Sequence, residues 1–332
     1  MKLSIAMASY NGITYLPQQL DSLLVQTVPP DELIVCDDCS EDGTYEILRK
    51  FQENAPFPVV ISRNKSRIGY AKNFEKVISQ CSGDIIFLCD QDDVWFPNKV
   101  EKIVSAFDSD ENALVVVHDA GIVDDDMKNN GITVAGQLLS IGLSSEYLLL
   151  GCCIAFHSKL MPLIIPVPYP IHGHDGWINT LGNVLQCRVF VPEVLQFYRR
   201  HDCNTSSQRF TSTQRISRFD VFIDMIAMKN IRVSPEEASL RRLKQIDILV
   251  DRIILHRVYI EKCLGLNERY TIVLSELKQV KVDYQSRYAI QRLPYLPRLI
   301  IGMKFYLEGG YKRFEGVKSF IRDVLGGSIR GK

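Results

Sequence analysis

The stretch Asp84-Ile-Ile-Phe-Leu-Cys-Asp-Gln-Asp-Asp-Val-Trp95 constrains this chain more than any other. Ile85 to Cys89 is a continuous apolar run, the pattern of a strand buried on both faces of a parallel sheet. Asp90, Asp92 and Asp93 follow at once. Acids crowded at the end of a buried strand repel one another unless a cation sits among them. An Asp-x-Asp delivered there suits Mg²⁺ or Mn²⁺, with a substrate phosphate supplying further oxygens. The same residues also suit a solvated acidic turn leading into the next helix, so the neighbouring segments must decide.

Those segments repeat one unit. Residues 3–8, 32–36, 59–62, 85–89 and 114–117 read as strands. Residues 16–25, a stretch from Thr44 to about residue 51, 70–80 and 97–108 read as helices. Pro17 falls in the first turn of its helix, where proline is tolerated. Alternation at this spacing predicts an α/β fold, a mostly parallel sheet with helices on both faces. Ligands of such sheets bind beyond the carboxyl ends of the strands, where the turns after strands one, two and four lie. Further along, Asp124-Asp125-Asp126 and Asn129-Asn130-Gly131 are loop and hairpin signals. Residues 147–156 read as a buried strand, 176–185 as a helix and 194–199 as a strand. From about Gln214 the pattern is helical.

Charge divides the chain in two. Residues 1–198 carry 13 Lys+Arg against 25 Asp+Glu, and residues 199–332 carry 26 against 14. An acidic first part suits a cation site, and a basic second part suits an anionic partner or surface. Nine cysteines without framework spacing imply free thiols in a reducing compartment. Cys36 and Cys39 form a Cys-x-x-Cys, but zinc lacks a second pair and Asp37 and Asp38 oppose a thiolate, so two ordinary buried cysteines are expected. No signal peptide pattern or apolar run of spanning length is visible, which predicts a cytoplasmic protein or one held at the inner face of a membrane.

Three further clusters carry polar chemistry. The acceptor oxygens of Asp37-Asp38 suit a base N–H or a ribose hydroxyl, and equally a helix N-terminus rich in acids. Asp175 in His174-Asp175-Gly176-Trp177 suits a general base or an N-cap, and His172 and His174 read as neutral surface imidazoles. In Arg199-Arg200-His201 the arginines suit a diphosphate and His201 a metal.

In order, Ser4-Ile-Ala-Met-Ala-Ser-Tyr-Asn-Gly12, Val35-Cys-Asp-Asp-Cys-Ser-Glu-Asp-Gly-Thr44, residues 64–73 with Gly69 and Asn73, Asp90-Gln-Asp-Asp-Val-Trp95, Gly151-Cys-Cys-Ile-Ala-Phe156, His174-Asp175 and Arg200-His201 resemble the motifs of family 2 glycosyltransferases of the GT-A, Rossmann-like fold. The Asp-Gln-Asp-Asp-Val-Trp form is most similar to the bacterial rhamnosyltransferase-like branch that builds surface polysaccharides such as O-antigen. The resemblance covers about residues 2–205, a catalytic domain of 1–205, and leaves 206–332 as a helical C-terminal extension.

Carried over by position, it implies that Ala8, Ser9, Tyr10 and Asp38 hold the nucleoside, with Asn73, Asp90 and Arg200 also in the nucleotide-sugar site. Asp92 would be the direct ligand of Mn²⁺ or Mg²⁺, with Asp90 its pair and His201 an additional ligand, and Asp175 would be the catalytic base. The reaction implied is an inverting transfer from a nucleoside diphosphate sugar, dTDP-rhamnose or a UDP-sugar, to a saccharide or lipid-linked saccharide. Nucleic acid is not an expected partner. Two positions depart from the family pattern: Cys39 replaces a glycine, and Cys153 stands where threonine is frequent and would line the acceptor side.

Residues 288–310 mix Leu296, Ile300, Met303 and Phe305 with Arg292, Arg298 and Lys304. Such a segment suits peripheral contact with an anionic membrane, and equally a cap packed on protein. Asp90-Gln-Asp-Asp-Val94 also fits the Asp-x-Asp-x-Val of haloacid-dehalogenase-like phosphatases, but those place it on the first strand, not the fourth. A non-catalytic sugar-nucleotide-binding scaffold is the remaining alternative.

Overall fold

A computed structural model describes residues 1–168, 173–202, 204, 209–217 and 234–325. The chain divides into two compact units, Met1–Ile223 and Asp224–Lys332.

The first unit is built on a nine-stranded sheet. Four parallel strands form one half: β1 (Leu3–Ser9), β2 (Glu32–Asp37), β3 (Val59–Arg63) and β4 (Ile85–Cys89), in the order β3-β2-β1-β4. β2 and β4 are buried along their whole length, which is why they read as apolar runs without alternation. The helices between them, α1 (Leu16–Leu24), α2 (Thr44–Asn54) and α3 (Tyr70–Ile78), bury one stripe each. In α1 the stripe is Leu16, Leu20 and Leu23, at i, i+4 and i+7, packed on the Ile5, Met7, Leu33 and Val35 side of the sheet.

The other half is mixed. β5 (Val94–Trp95) leads to α4 (Lys99–Ser109), then β6 (Val115–Val123), β7 (Asn129–Thr133) and α5 (Val134–Ser140). β8 (Ile154–His157) runs antiparallel between β4 and β6. After α6 (Met161–Ile164) and α7 (Gly173–Val184), β9 (Arg188–Arg199) pairs parallel with β6 and antiparallel with β5.

Several expectations change. The strand over 147–156 shrinks to β8, because residues 151–153 coil into a tight helical turn. β9 begins six residues earlier than read, at Arg188. β5 was not foreseen, since two residues carry no periodicity. Of the expected helical region after Gln214, residues 218–233 lie outside the described residues.

The second unit is helical: α8 (Pro235–Leu255), α9 (Arg257–Lys262), α10 (Asn267–Gln291), α11 (Tyr295–Leu307) and α12 (Val317–Leu325). Ser234 and Glu237 cap α8 reciprocally, satisfying two N–H groups that the helix leaves open. Leu243, Ile246, Leu249 and Ile253 of α8 and Tyr270, Val273 and Leu277 of α10 are buried. Among the described residues no helix is long and apolar enough to cross a membrane.

Candidate functional site

Register gathers the site. Ser9 of β1 lies opposite Asp37 of β2, and Met7 opposite Cys89 of β4, so the three turns that follow emerge side by side. Gln91, the spacer of the Asp-x-Asp, ties two of them together. Its Oε1 accepts the Tyr10 N–H at 2.9 Å and its Nε2 donates to the Tyr10 carbonyl at 2.9 Å. Gly12 makes room, since a Cβ there would collide with the Gln91 carboxamide. The Tyr10 ring is half-buried, with the Arg67 guanidinium 4.1 Å from its centroid. Ala8 is half-buried beside it.

Ser9 is buried and bonds to Asp37. Asp38 and Asn73, expected to touch the nucleotide sugar, are 2% and 1% exposed. Asp38 accepts from Asn64 Nδ2 and the Ile68 and Gly69 N–H groups, each at 2.8 Å. Asn73 donates to the Cys36 carbonyl at 2.7 Å and accepts from Asn64 at 2.9 Å. Both side chains therefore fasten the loop that carries Arg67, a structural duty beyond the nucleotide contact expected from sequence. Cys39 is half-exposed, not buried, and its φ of 66° explains why glycine is usual there.

The acids after β4 have different surroundings. Asp93 is buried, and accepts from Gln196 Nε2 at 2.8 Å and from the Arg199 N–H at 3.2 Å. Lys99, also buried, donates to Gln196 and to the Cys152 carbonyl, and its ammonium lies 3.7 Å from the Trp95 ring centroid. The Cys152 thiol lies beside Asp90 and Asp93 and lowers the pKa of each. Asp90, Asp93 and Cys152 present ligand-type atoms within 4.8 Å of one another. Burial pushes the Cys152 thiol up, so it stays protonated and acts as a donor there. Cys153 is fully buried, so it does not line an acceptor surface as expected.

Asp90 is partly buried, and desolvation, then the Asp92, Asp93 and Asp175 carboxylates, push it well above the usual carboxylate range. Asp92 Oδ2 lies 2.8 Å from His201 Nε2. The antiparallel pairing of Val94 with Phe197 makes that contact, because it sets the turn after β4 beside the end of β9. Arg199 holds the turn from behind: it is buried, donates from Nε to the Asp92 carbonyl at 2.9 Å and from Nη1 to the Asp125 carbonyl at 3.1 Å. The Tyr15 ring stacks 4.6 Å from His201. Arg200 is half-buried, and its N–H donates to the Val123 carbonyl at 2.8 Å. Asp92 and His201 pair with one another, while the ligand-type atoms that lie within 4.8 Å of one another are those of Asp90, Asp93 and Cys152, a carboxylate pair of the kind that suits a hard divalent cation.

Asp175 stands in the first turn of α7, its Oδ1 accepting the Gly176 N–H at 2.7 Å. Burial pushes its carboxyl up to about 6, against the hydrogen bonds of that turn. His174 is buried rather than at the surface; it stacks 4.0 Å on Phe74 and, among the described residues, has no hydrogen-bond partner at either ring nitrogen. Burial pushes it down to about 3, so it is neutral and leaves burial to govern Asp175. Tyr70 meets the His174 ring edge-on at 6.4 Å, is 49% exposed, and has its hydroxyl pushed up by burial and by Asp175. His172 lies outside the described residues.

Sequence reading missed Gln91, Arg67, Tyr70, Lys99 and Cys152. Gln91 stood in view as the spacer of a motif; the others act through packing, which leaves no pattern in a single chain.

Residues 4–147 match the family model described as glycosyl transferase family 2. An uncharacterised glycosyltransferase of Nostoc sp. is 26% identical over 230 residues, 64% of this chain and 69% of that protein. One from Haemophilus influenzae is 31% identical over 135 residues, 41% of this chain and 43% of its own length. Among solved structures, Staphylococcus aureus TarS 1–349 in complex with UDP superposes with a TM-score of 0.51 at 18% identity, covering 96% of this chain and 89% of that one. The complex with UDP-GlcNAc gives 0.50 at 19%, again covering 96% and 89%. At such identity the likeness establishes the fold, a GT-A-like sheet flanked by helices.

Proposed function

From the match of residues 4–147 to the glycosyl transferase family 2 model, we propose that the chain moves a sugar, with inversion, from a nucleoside diphosphate sugar to a hydroxyl of a growing surface polysaccharide. The donor is dTDP-rhamnose or a UDP-sugar, and the acceptor is lipid-linked and met at the cytoplasmic face of the membrane. The solved TarS complexes hold UDP and UDP-GlcNAc, which supports a nucleotide-sugar donor.

One observation supports this reading: beyond its burial, the Asp90 carboxyl is pushed up by the Asp92, Asp93 and Asp175 carboxylates, as an acid pair and a base serving one cleft would require. Asp92, with Asp90 and His201, would hold Mn²⁺ or Mg²⁺. When bound, the ion supplies the positive charge that a departing diphosphate needs. Tyr10, its backbone fixed by Gln91, and Arg67 form the platform for the base, with Ala8 alongside, while Ser9, Asp38 and Asn73 shape it from beneath. Arg200 reaches the diphosphate. Asp175 takes the proton of the acceptor hydroxyl as that oxygen bonds to the anomeric carbon, opposite the breaking bond to the diphosphate. A carboxyl tuned to about 6 is ionised at neutral pH yet more basic than an ordinary aspartate. The exposed Tyr70 ring offers a flat apolar face to the acceptor sugar.

The test is a thermal-shift panel of UDP-, dTDP- and GDP-sugars with Mn²⁺, followed by a transfer assay on the donor that binds. One base class should raise Tm by about 3 °C or more, and only with the ion. Asp175→Asn should keep that shift and lose transfer by about 10³-fold. A panel without any shift, or an Asp175→Asn enzyme that still transfers well, ends the reading.

A further inference from the structure

The last two helices of the C-terminal unit turn their apolar side chains outward. In α11, Leu296, Ile300, Met303 and Leu307 follow i, i+4, i+7, i+11 and make one stripe, 68, 68, 41 and 76% exposed. The side of α11 that faces protein is marked by Gly302, its one buried residue, where a Cβ would meet Val324 Cγ2 of α12 at 2.9 Å. α12 repeats the arrangement: Val317, Ile321 and Leu325 are exposed, while Ser319, Asp323 and Val324 are buried.

A buried ion pair locks α12 in this orientation. Arg287 of α10 donates from Nε and Nη2 to the two Asp323 oxygens at 2.7 and 2.9 Å, and Gln291 donates to Asp323 at 2.7 Å. Rolling the apolar residues inward would strand that carboxylate without its partner. The outward stripes are thus a fixed surface, large and apolar, of the kind soluble monomers rarely leave bare.

Charge selects what covers it. Lys304, Lys312, Arg313, Lys318 and Arg322 are exposed on and between these helices; Lys304 pairs with Glu308, Arg313 with Asp283 and Arg322 with Glu315, while Lys312 and Lys318 make no ion pair among the described residues. A second copy applied to this face would set one group of cations against the same group, which is unfavourable. An anionic lipid surface meets both features, taking the stripe among its acyl chains and the cations at its headgroups.

We propose that α11 and α12 form an in-plane docking surface for an anionic bilayer, with Leu296, Ile300, Met303 and Leu307 inserted at the headgroup boundary and Lys304, Lys312 and Lys318 on the phosphates. The surface is argued from the two helices alone and does not rest on the transfer reading.

The experiment is co-sedimentation of the full chain with phosphatidylcholine vesicles, with and without about 30 mol% phosphatidylglycerol. Binding should favour the anionic vesicles by about tenfold and fall in about 0.5 M NaCl. Leu296→Gln/Ile300→Gln/Leu307→Gln should weaken binding by about tenfold or more. Lys304→Glu/Lys312→Glu/Lys318→Glu, all at exposed positions, should erase the anionic preference without touching the stripe. Circular dichroism melts and the nucleotide-sugar thermal shift are expected to match the parent protein in both variants. If the parent protein ignores anionic vesicles, or the charge variant binds them as well as the parent, the proposal is overturned. A dimer by light scattering that the glutamine variant splits, without vesicle binding, also overturns it and assigns the face to a second copy.

Discussion

Two polar clusters lie at the carboxyl ends of one sheet, and they are bonded in opposite ways. Asp38, Asn64 and Asn73 form a closed set, with both Asp38 oxygens accepting protein N–H groups and both ends of Asn73 engaged. Asp90, Asp92 and Asp175 form a more open set: Asp92 Oδ2 meets His201 and Asp175 Oδ1 takes the Gly176 N–H, while Asp90 is pushed up by burial and by the neighbouring carboxylates. A closed set holds a shape, since its members gain nothing from a ligand. An open set holds an appetite for a cation and for a proton, which is the usual sign of chemistry. Asp93, one residue from Asp92, belongs to the closed kind through Gln196 and Arg199, so adjacent acids in one motif have separate duties.

Substitutions can break or sharpen that contrast. The largest effect is expected at the open set: Asp92→Asn should lower kcat/KM for transfer by about 10³-fold, near 4 kcal/mol in the barrier, with little change in the urea midpoint. Retention of activity within about tenfold would erase the distinction. At the closed set, Asp38→Ala strands the Asn64, Ile68 and Gly69 donors and should cost about 3 kcal/mol in urea unfolding.

Asp175 sharpens the contrast through pH. Its folded value of about 6 stands above the ordinary 3.8, so the charged form is disfavoured in the folded state and the wild type loses stability as pH rises through about 6. Asp175→Asn should therefore be more stable than wild type by about 2 kcal/mol at pH 8, and the gain should vanish below about pH 4. Wild-type transfer should decline below about pH 6 as the base protonates. The smallest effect is at Cys39, whose left-handed backbone strains a side chain but not glycine. Cys39→Gly should raise stability by about 0.5 kcal/mol, the relief of strain set against the entropy of glycine, read as a shift in midpoint.

The parallel half of the fold was legible because β1, β2 and β4 are buried on both faces and α1 repeats its leucines at helical spacing. The mixed half was harder to read. β5 is two residues long, and β8 is cut short by a turn of small residues whose apolar character imitates a strand. The same limit governs the site. Acids at the ends of strands were visible, but the meeting of Asp92 with His201 depends on the pairing of Val94 with Phe197, a contact across more than a hundred positions. His174 looked solvent-facing because imidazole is polar, whereas the fold supplies Phe74 to stack on it.

Lys99 gives the two charged regions of this chain different sensitivities. Its ammonium is enclosed by Trp95, Gln196 and the Cys152 carbonyl, where dissolved ions do not reach it. The cations of α11 and α12 stand in solvent, within reach of every counterion. Ionic strength is therefore a selective handle: raising it strips the outer charges of their pull while the Lys99 ammonium keeps its partners inside the sheet.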